Sequence, residues 1–318
     1  MFSRIIIIIV LSAQLTACAQ TGNKSQLKEP VKTNNMKLDT IVLGGGCFWC
    51  TEAVFLRVFA GDKPFSEISG KPGADGSYSL SAKLKPGLVQ YRIEFGSKSG
   101  GVETVLHKAA NLLCGDAYII IGQSNAVATD FGKEDPAFRS EWIRTFGTMS
   151  GNAKEFTGWG DAVHRSREGG KLQVGYWGME LGKRIVESHK MPVFLINGAV
   201  GGTRVDQHQR NEADPEDLTT IYGRLLWRLR RAKLTHGVRG IIWHQGENDM
   251  LDRALCPRYA EGLDALVGRL RADLGAPELK WYLAEVSEKG IWGMDNRANL
   301  AILRQQQDQL LATDPLIQ

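Results

Sequence analysis

Gly122-Gln123-Ser124-Asn125 follows a short apolar run, Ala117-Tyr118-Ile119-Ile120-Ile121. A serine on a tight turn after a buried strand presents its hydroxyl at the edge of a sheet. A helix that starts there aims backbone N–H groups at the same point. This setting suits a nucleophile whose attack creates an oxyanion. The four residues also read as a helix N-cap made by Ser124 or Asn125.

Two further segments stand at the ends of apolar runs. Asn197-Gly198-Ala199-Val200-Gly201-Gly202-Thr203 follows Pro192-Val193-Phe194-Leu195-Ile196. Paired glycines let a backbone N–H approach a ligand closely, although a plain strand-to-helix turn uses them too. Trp243-His244-Gln245-Gly246-Glu247-Asn248-Asp249 closes the run that begins at Val238. Buried polar groups are costly without partners, so His244, Gln245 and Glu247 read better as parts of a site than as packing. The other reading is an exposed polar loop. Gln123 and Asn125, flanking the serine, join the list of candidate substrate contacts.

These motifs need a scaffold. Strand-like runs at 117–121, 192–196, 238–243 and 279–286 alternate with helical patterns. Ile221, Leu225 and Leu229 share one helical face, as do Leu263, Leu266, Val267 and Leu270. Strand–helix alternation predicts an α/β fold, a parallel sheet with helices on both faces. In such sheets function gathers at the carboxyl ends of strands, where all three motifs lie. Residues 295–318 read as one more helix, and the expectation is that a last strand is missing after it.

Upstream, Val89, Tyr91, Ile93 and Phe95 alternate with polar residues, as do Tyr78, Leu80, Ala82 and Leu84. This is the period of half-buried strands. Ala74-Asp75-Gly76-Ser77 and Lys85-Pro86-Gly87 supply turns, so a small β-sandwich, or part of one, fits residues 57–112. Before it, Thr40 to Leu43 reads as a strand, Gly44-Gly45-Gly46 as a turn, and Glu52 to Val58 as the start of a helix.

With three ordered motifs in place, the segment from about Val58 to Gln318 resembles the SGNH hydrolases of the sialate O-acetylesterase and acetyl xylan esterase group. The resemblance implies a flavodoxin-like three-layer α/β/α domain over 113–318 that deacetylates an O-acetylated sugar without metal or cofactor. Carried over position by position, it makes Ser124 the nucleophile. The Ser124 N–H, the N–H of Gly202 (or Gly201) and the Gln245 side chain become the oxyanion hole, and Glu247 orients the base. The family's base is a His in an Asp-x-x-His segment after the last strand. His107, His164, His189, His208, His236 and His244 all stand elsewhere. The resemblance therefore predicts a domain short of its catalytic His and weak in hydrolysis. His244 is expected to shape the site, with His208 or His244 as the base if turnover depends on Ser124. His189 and His236 close helical stretches, where a cation favours the dipole.

A second resemblance covers about residues 37–56. Gly44-Gly45-Gly46-Cys47-Phe48-Trp49-Cys50-Thr51-Glu52 is similar to the active-site start of the A-type peptide methionine sulfoxide reductases. It implies that Cys47 attacks a sulfoxide sulfur, Phe48 and Trp49 cage the methyl group, and Glu52 donates a proton. A Cys at a helix N-terminus has a lowered pKa, which would suit that role. A stranded fragment, or a Cys47–Cys50 disulfide, is the other reading, with a junction between unlike sequences near 55–59.

The chain opens on Arg4, an apolar run from Ile5 to Leu11, and Leu15-Thr16-Ala17-Cys18. This matches a bacterial lipoprotein signal, with lipidated Cys18 as the membrane anchor of an exported protein; a plain signal peptide is the alternative. Residues 19–36 are polar and read as a flexible tether. Hydrophobic residues make up 43% of 318 and charged residues 23%, ordinary for a globular protein. A net charge of +4 is too small to imply nucleic acid, and Arg224, Arg228, Arg230 and Arg231 read as a solvated helix face. Five cysteines show no paired metal-binding spacing.

Overall fold

The computed structural model describes residues 52–73, 77–130, 133, 135–149, 152–234, 237–286 and 297–318. The signal and tether, with Cys18, Cys47, Phe48, Trp49 and His236, lie outside the described residues. Among the described residues the chain forms two compact units. One holds 85–88 and 113–318, the other 52–84 and 89–112.

The smaller unit is a four-stranded antiparallel sheet built from β1 (Ala53–Ala60), β2 (Lys63–Gly70), β3 (Tyr91–Ser99) and β4 (Val102–Leu112), in the order β2-β1-β3-β4. Tyr91, Ile93 and Phe95 are buried, as their alternation predicts. The helix expected from Glu52 to Val58 is instead β1. β-branched Val54 and Val58 and aromatic Phe55 and Phe59 favour a pleated surface, and β1 pairs with both β2 and β3 along its length. Residues 77–84 keep their alternating burial but join no ladder. They pack by side chains: the Tyr78 ring stacks on Phe95 with centroids 5.3 Å apart, and Leu80 lies over Gly70.

The larger unit carries a six-stranded sheet from β5 (Asp116–Gly122), β6 (Ile143–Phe146), β7 (Trp159–Asp161), β8 (Val193–Asn197), β9 (Val238–His244) and β10 (Lys280–Leu283). The order is β10-β9-β5-β8-β6-β7, parallel except for β7, which runs antiparallel to β6. Short β6 and β7, of mixed polarity, carry no apolar run that would reveal them in sequence. The helices are α1 (Ser124–Val127), α2 (Tyr176–His189), α3 (Ile221–Arg231), α4 (Tyr259–Asp273) and α5 (Arg297–Thr313). One face of the sheet packs α1 and α2 through Ile120, Ala126, Val174, Met179 and Val186. The other packs α3 and α4, joined by the Tyr222–Asp273 hydrogen bond of 2.7 Å, with Tyr259 of α4 on Trp243. The predicted three-layer α/β/α architecture is thus present. Ile119, Ile120 and Ile121 are buried on both faces, the mark of a central parallel strand. After α5, Leu316 to Gln318 lie beside β10, with Trp281 N–H donating to Leu316 O at 2.8 Å and Gln318 N–H to Trp281 O at 2.8 Å.

Arg228 corrects the expectation of a solvated basic face. It is 2% exposed and donates to Asn197 O and Phe146 O, each at 2.7 Å. Its chain neighbours Trp227 and Leu229 are buried as well, whereas Arg231, the last residue of α3, is exposed.

Candidate active site

β5 lies between β8 and β9, where the winding of the sheet reverses. The crevice opens at such a switch point, and Ser124 stands there. Gly122 makes the turn possible. Its φ is +137°, and a Cβ would meet His244 O at 2.1 Å. Gln123 N–H then donates to His244 O at 3.1 Å, which ties the turn to the end of β9. Ser124 is exposed, and among the described residues neither its hydroxyl nor its N–H has a partner. The helix-cap reading fails: the N-cap position is Gln123, with no side-chain cap bond. Asn125 directs its side chain elsewhere, donating through Nδ2 to Glu247 Oε1.

The glycine loop comes next to the serine. Val200 N–H donates to Gly122 O at 3.0 Å, holding the loop against β5. A Cβ on Gly201 would lie 3.9 Å from Ser124 Cβ, and one on Gly202, where φ is +75°, would lie 4.0 Å from Asn248 Nδ2. The N–H groups of Gly201 and Gly202 have no partners among the described residues.

Beneath the loop, the third motif is buried, which removes the exposed-loop reading: Gln245 and Asp249 are 0% exposed and Glu247 5%. The Gln245 amide nitrogen faces Thr203 O at 3.0 Å, Gln123 Oε1 at 3.3 Å and Asp249 Oδ2. An amide nitrogen has two protons, and three acceptors already compete for them. Gln245 therefore ties the serine turn to the glycine loop, where the resemblance made it an oxyanion donor. Gln123 likewise faces inward, its Oε1 accepting from Asn248 N–H at 3.3 Å as well.

Glu247 accepts from Asn125 through Oε1, which also lies 3.8 Å from His244 Nε2. Glu247 Oε2 is buried without a partner among the described residues. Burial lowers the His244 pKa and the Glu247 charge opposes that shift, so the imidazole stays below its ordinary value. His208 is engaged within the fold. It is 3% exposed, and its ring packs edge-on to Trp243 with centroids 5.1 Å apart. Thr203 Oγ1 gives its one proton to Val200 O at 2.8 Å and so accepts from His208 Nε2 at 2.8 Å.

Sequence reasoning missed Asn197, which is fully buried. Its Nδ2 donates to Ala126 O at 2.8 Å and Val174 O at 3.0 Å, and its Oδ1 accepts from Ala199 N–H at 2.9 Å. One amide thus joins α1 to the glycine loop. A polar residue closing an apolar run was the available signal. Trp177 was also missed; its indole Nε1 donates to Asn125 O at 2.6 Å.

Of the reductase-like site residues, Cys47, Phe48 and Trp49 lie outside the described residues, and only Glu52 is described. Glu52 Oε1 accepts from Gly100 N–H at 3.0 Å, at the β3–β4 turn.

A model of the family described as a carbohydrate esterase, sialic acid-specific acetylesterase, matches residues 114–315. A protein of Arabidopsis thaliana named "Probable carbohydrate esterase" is 29% identical over 109 residues, 34% of this chain and 39% of that protein. A peptide methionine sulfoxide reductase of Psychrobacter cryohalolentis is 36% identical over 70 residues, 22% of this chain and 40% of that enzyme. The chain therefore spans about two fifths of the length of these curated relatives. Among solved structures, a carbohydrate acetylesterase from Xanthomonas citri superposes with a TM-score of 0.50 at 20% identity, over 82% of this chain and 60% of that one. At that identity the likeness speaks for the fold.

Proposed function

Because the chain belongs to the sialic acid-specific acetylesterase family of carbohydrate esterases, whose model matches well over half of it, we propose that it removes acetyl groups from O-acetylated sugars through an acyl-serine intermediate. The observation that carries this reading is the exposed, unpartnered Ser124 beside the Gly201–Gly202 loop, whose N–H groups have no partner among the described residues. In the proposed reaction Ser124 Oγ attacks the acetyl carbonyl carbon and gives up its proton to a base. The sugar oxygen leaves and takes a proton, and water then releases acetate from Ser124.

The base assigned here is His244. With His208 spent on Thr203, His244 is the partly exposed imidazole at this sheet edge. Its lowered pKa keeps it neutral near pH 7 and able to accept a proton, and Glu247 is close enough to steady the imidazolium. Export and anchoring through Cys18 complete the reading; replacing Cys18 by Ser is expected to move the protein out of the membrane fraction.

The test is acetate release from an aryl acetate and from acetylated sugars by the purified protein. Ser124→Ala is expected to abolish turnover, and His244→Gln to lower kcat by about a hundredfold and remove the acid limb of its pH profile. Turnover that survives in Ser124→Ala would overturn the proposal. Full activity in His244→Gln would move the base elsewhere and leave the acyl-serine step standing.

A further inference from the structure

We propose that the indole of Trp177 is the platform of a sugar-ring subsite beside Ser124, on which the pyranose ring of an acetylated substrate stacks. The inference rests on Ser124 as the nucleophile of an acetyl-sugar esterase and concerns what holds the sugar while its ester is attacked.

Three observations carry it. First, Trp177 stands at the edge of the sheet that carries the serine. It lies in the first turn of α2, whose start is fastened to the end of α1 by Tyr176 N–H donating to Ala128 O at 2.8 Å. Second, the indole is held in place. Its Nε1 donates at 2.6 Å to the carbonyl of Asn125, the residue after Ser124, and the Asn125 side chain is itself held by Glu247 Oε1. Third, the ring packs against the buried cluster of Ile120, Ala126 and Ala199 and yet stays partly exposed. Ala126 follows the serine by two positions, and Ala199 precedes the glycine pair by two. The cluster under the ring thus joins the helix that carries the serine to the loop that carries the glycines.

Chemistry decides what the exposed part of the ring can bind. The indole N–H is spent on Asn125, so the ring offers an apolar surface with a negative π face and no donor. A pyranose turns C–H groups, weakly positive, towards such a face. Acetylation replaces hydroxyl donors by esters with methyl groups, which makes the sugar a better match for an apolar wall. A ring already fixed by packing and a hydrogen bond loses little freedom on binding.

The experiment uses the full-length protein and the variants Trp177→Ala and Trp177→Phe, with Ser124→Ala as control. Acetate release is measured from glucose pentaacetate, which has the pyranose ring, and from ethyl acetate, which has the ester alone. In Trp177→Ala the ratio of kcat/KM for the sugar to that for ethyl acetate is expected to fall about tenfold, mostly through KM. Trp177→Phe keeps an aromatic face without the N–H and is expected to hold the ratio within about threefold of wild type. Titration of glucose pentaacetate into Ser124→Ala, with and without Trp177→Ala, should show a matching loss of about tenfold in affinity while the thermal midpoint holds. A wild-type ratio in Trp177→Ala, an equal loss in Trp177→Phe, or binding that is absent or indifferent to Trp177 would overturn the subsite. Acetate release that is absent from wild type, or survives in Ser124→Ala, would overturn the acyl-serine reading instead, and the titration would still decide what the indole binds.

Discussion

Asp249 and His208 lie buried below Ser124, and burial pushes their pKa values in opposite directions along the pH axis. Asp249 is raised to about 6, and His208 is lowered to about 4. An imidazole depressed from 6.5 to about 4 binds its proton less readily folded than unfolded. It therefore stabilises the fold fully above the unfolded value, and that stability is lost as pH falls towards 4. The loss is worth roughly 3 kcal/mol. The Asp249 carboxyl acts with the opposite sign, costing stability as pH rises from 3.8 to about 6. A variant isolates the imidazole, because the Asp249 effect is common to both proteins. His208→Gln keeps a donor for Thr203 Oγ1 and is expected to lose less stability than wild type between pH 6.5 and pH 4. Denaturant unfolding at the two pH values measures the difference. An equal loss in both proteins would show that His208 does not titrate within the fold.

At the scale of elements, strand β5, the turn and α1 act as one unit. Helix α1 has only four residues, so its dipole is weak. In the proposed reaction, stabilisation of an oxyanion would then fall on individual donors. The turn is exacting because Gly122 must combine φ of +137° with close approach to His244 O. Gly122→Ala is expected to cost about 2–4 kcal/mol of stability and to abolish ester hydrolysis. Thermal unfolding and aryl acetate turnover check both effects. An active, fully stable Gly122→Ala would mean the β5–β9 register is looser than the hydrogen bonds imply. Arg228 contributes at the same scale. Its guanidinium closes the carbonyls at the ends of β6 and β8, so the strand end that carries Asn197 has no unsatisfied acceptor there.

At the scale of the whole molecule, the chain is similar in sequence to two kinds of enzyme, and the described residues hold the candidate site of the esterase-like part. Glu52 is committed to the β3–β4 turn, and the chain enters β1 directly after it. Cys47→Ser is therefore expected to leave ester hydrolysis unchanged. Thiol-dependent reduction of a methionine sulfoxide peptide is expected to stay at background in both proteins. Sulfoxide reduction that depends on Cys47 would show that the segment works despite the strand.

The long apolar runs by themselves determined the parallel sheet, the helical layers and the carboxyl edge where function gathers, because periodicity and burial are local properties of a chain. They also brought Ser124, the glycine pair and the Gln245–Glu247 cluster to that edge. Only the tertiary structure decided what each polar group does there. Gln245 and Asn248 are amides three residues apart, and composition cannot say which is spent on buried acceptors and which is left free. Arg228 looked like a surface charge until the helix was packed, and Asn197 like the end of a strand. The helix expected at Glu52 became a strand because pairing with β2 and β3 outweighed a weak local preference, and that pairing depends on residues up to 45 positions away from the strand's start, as the partnership of Ala53 with Lys98 requires.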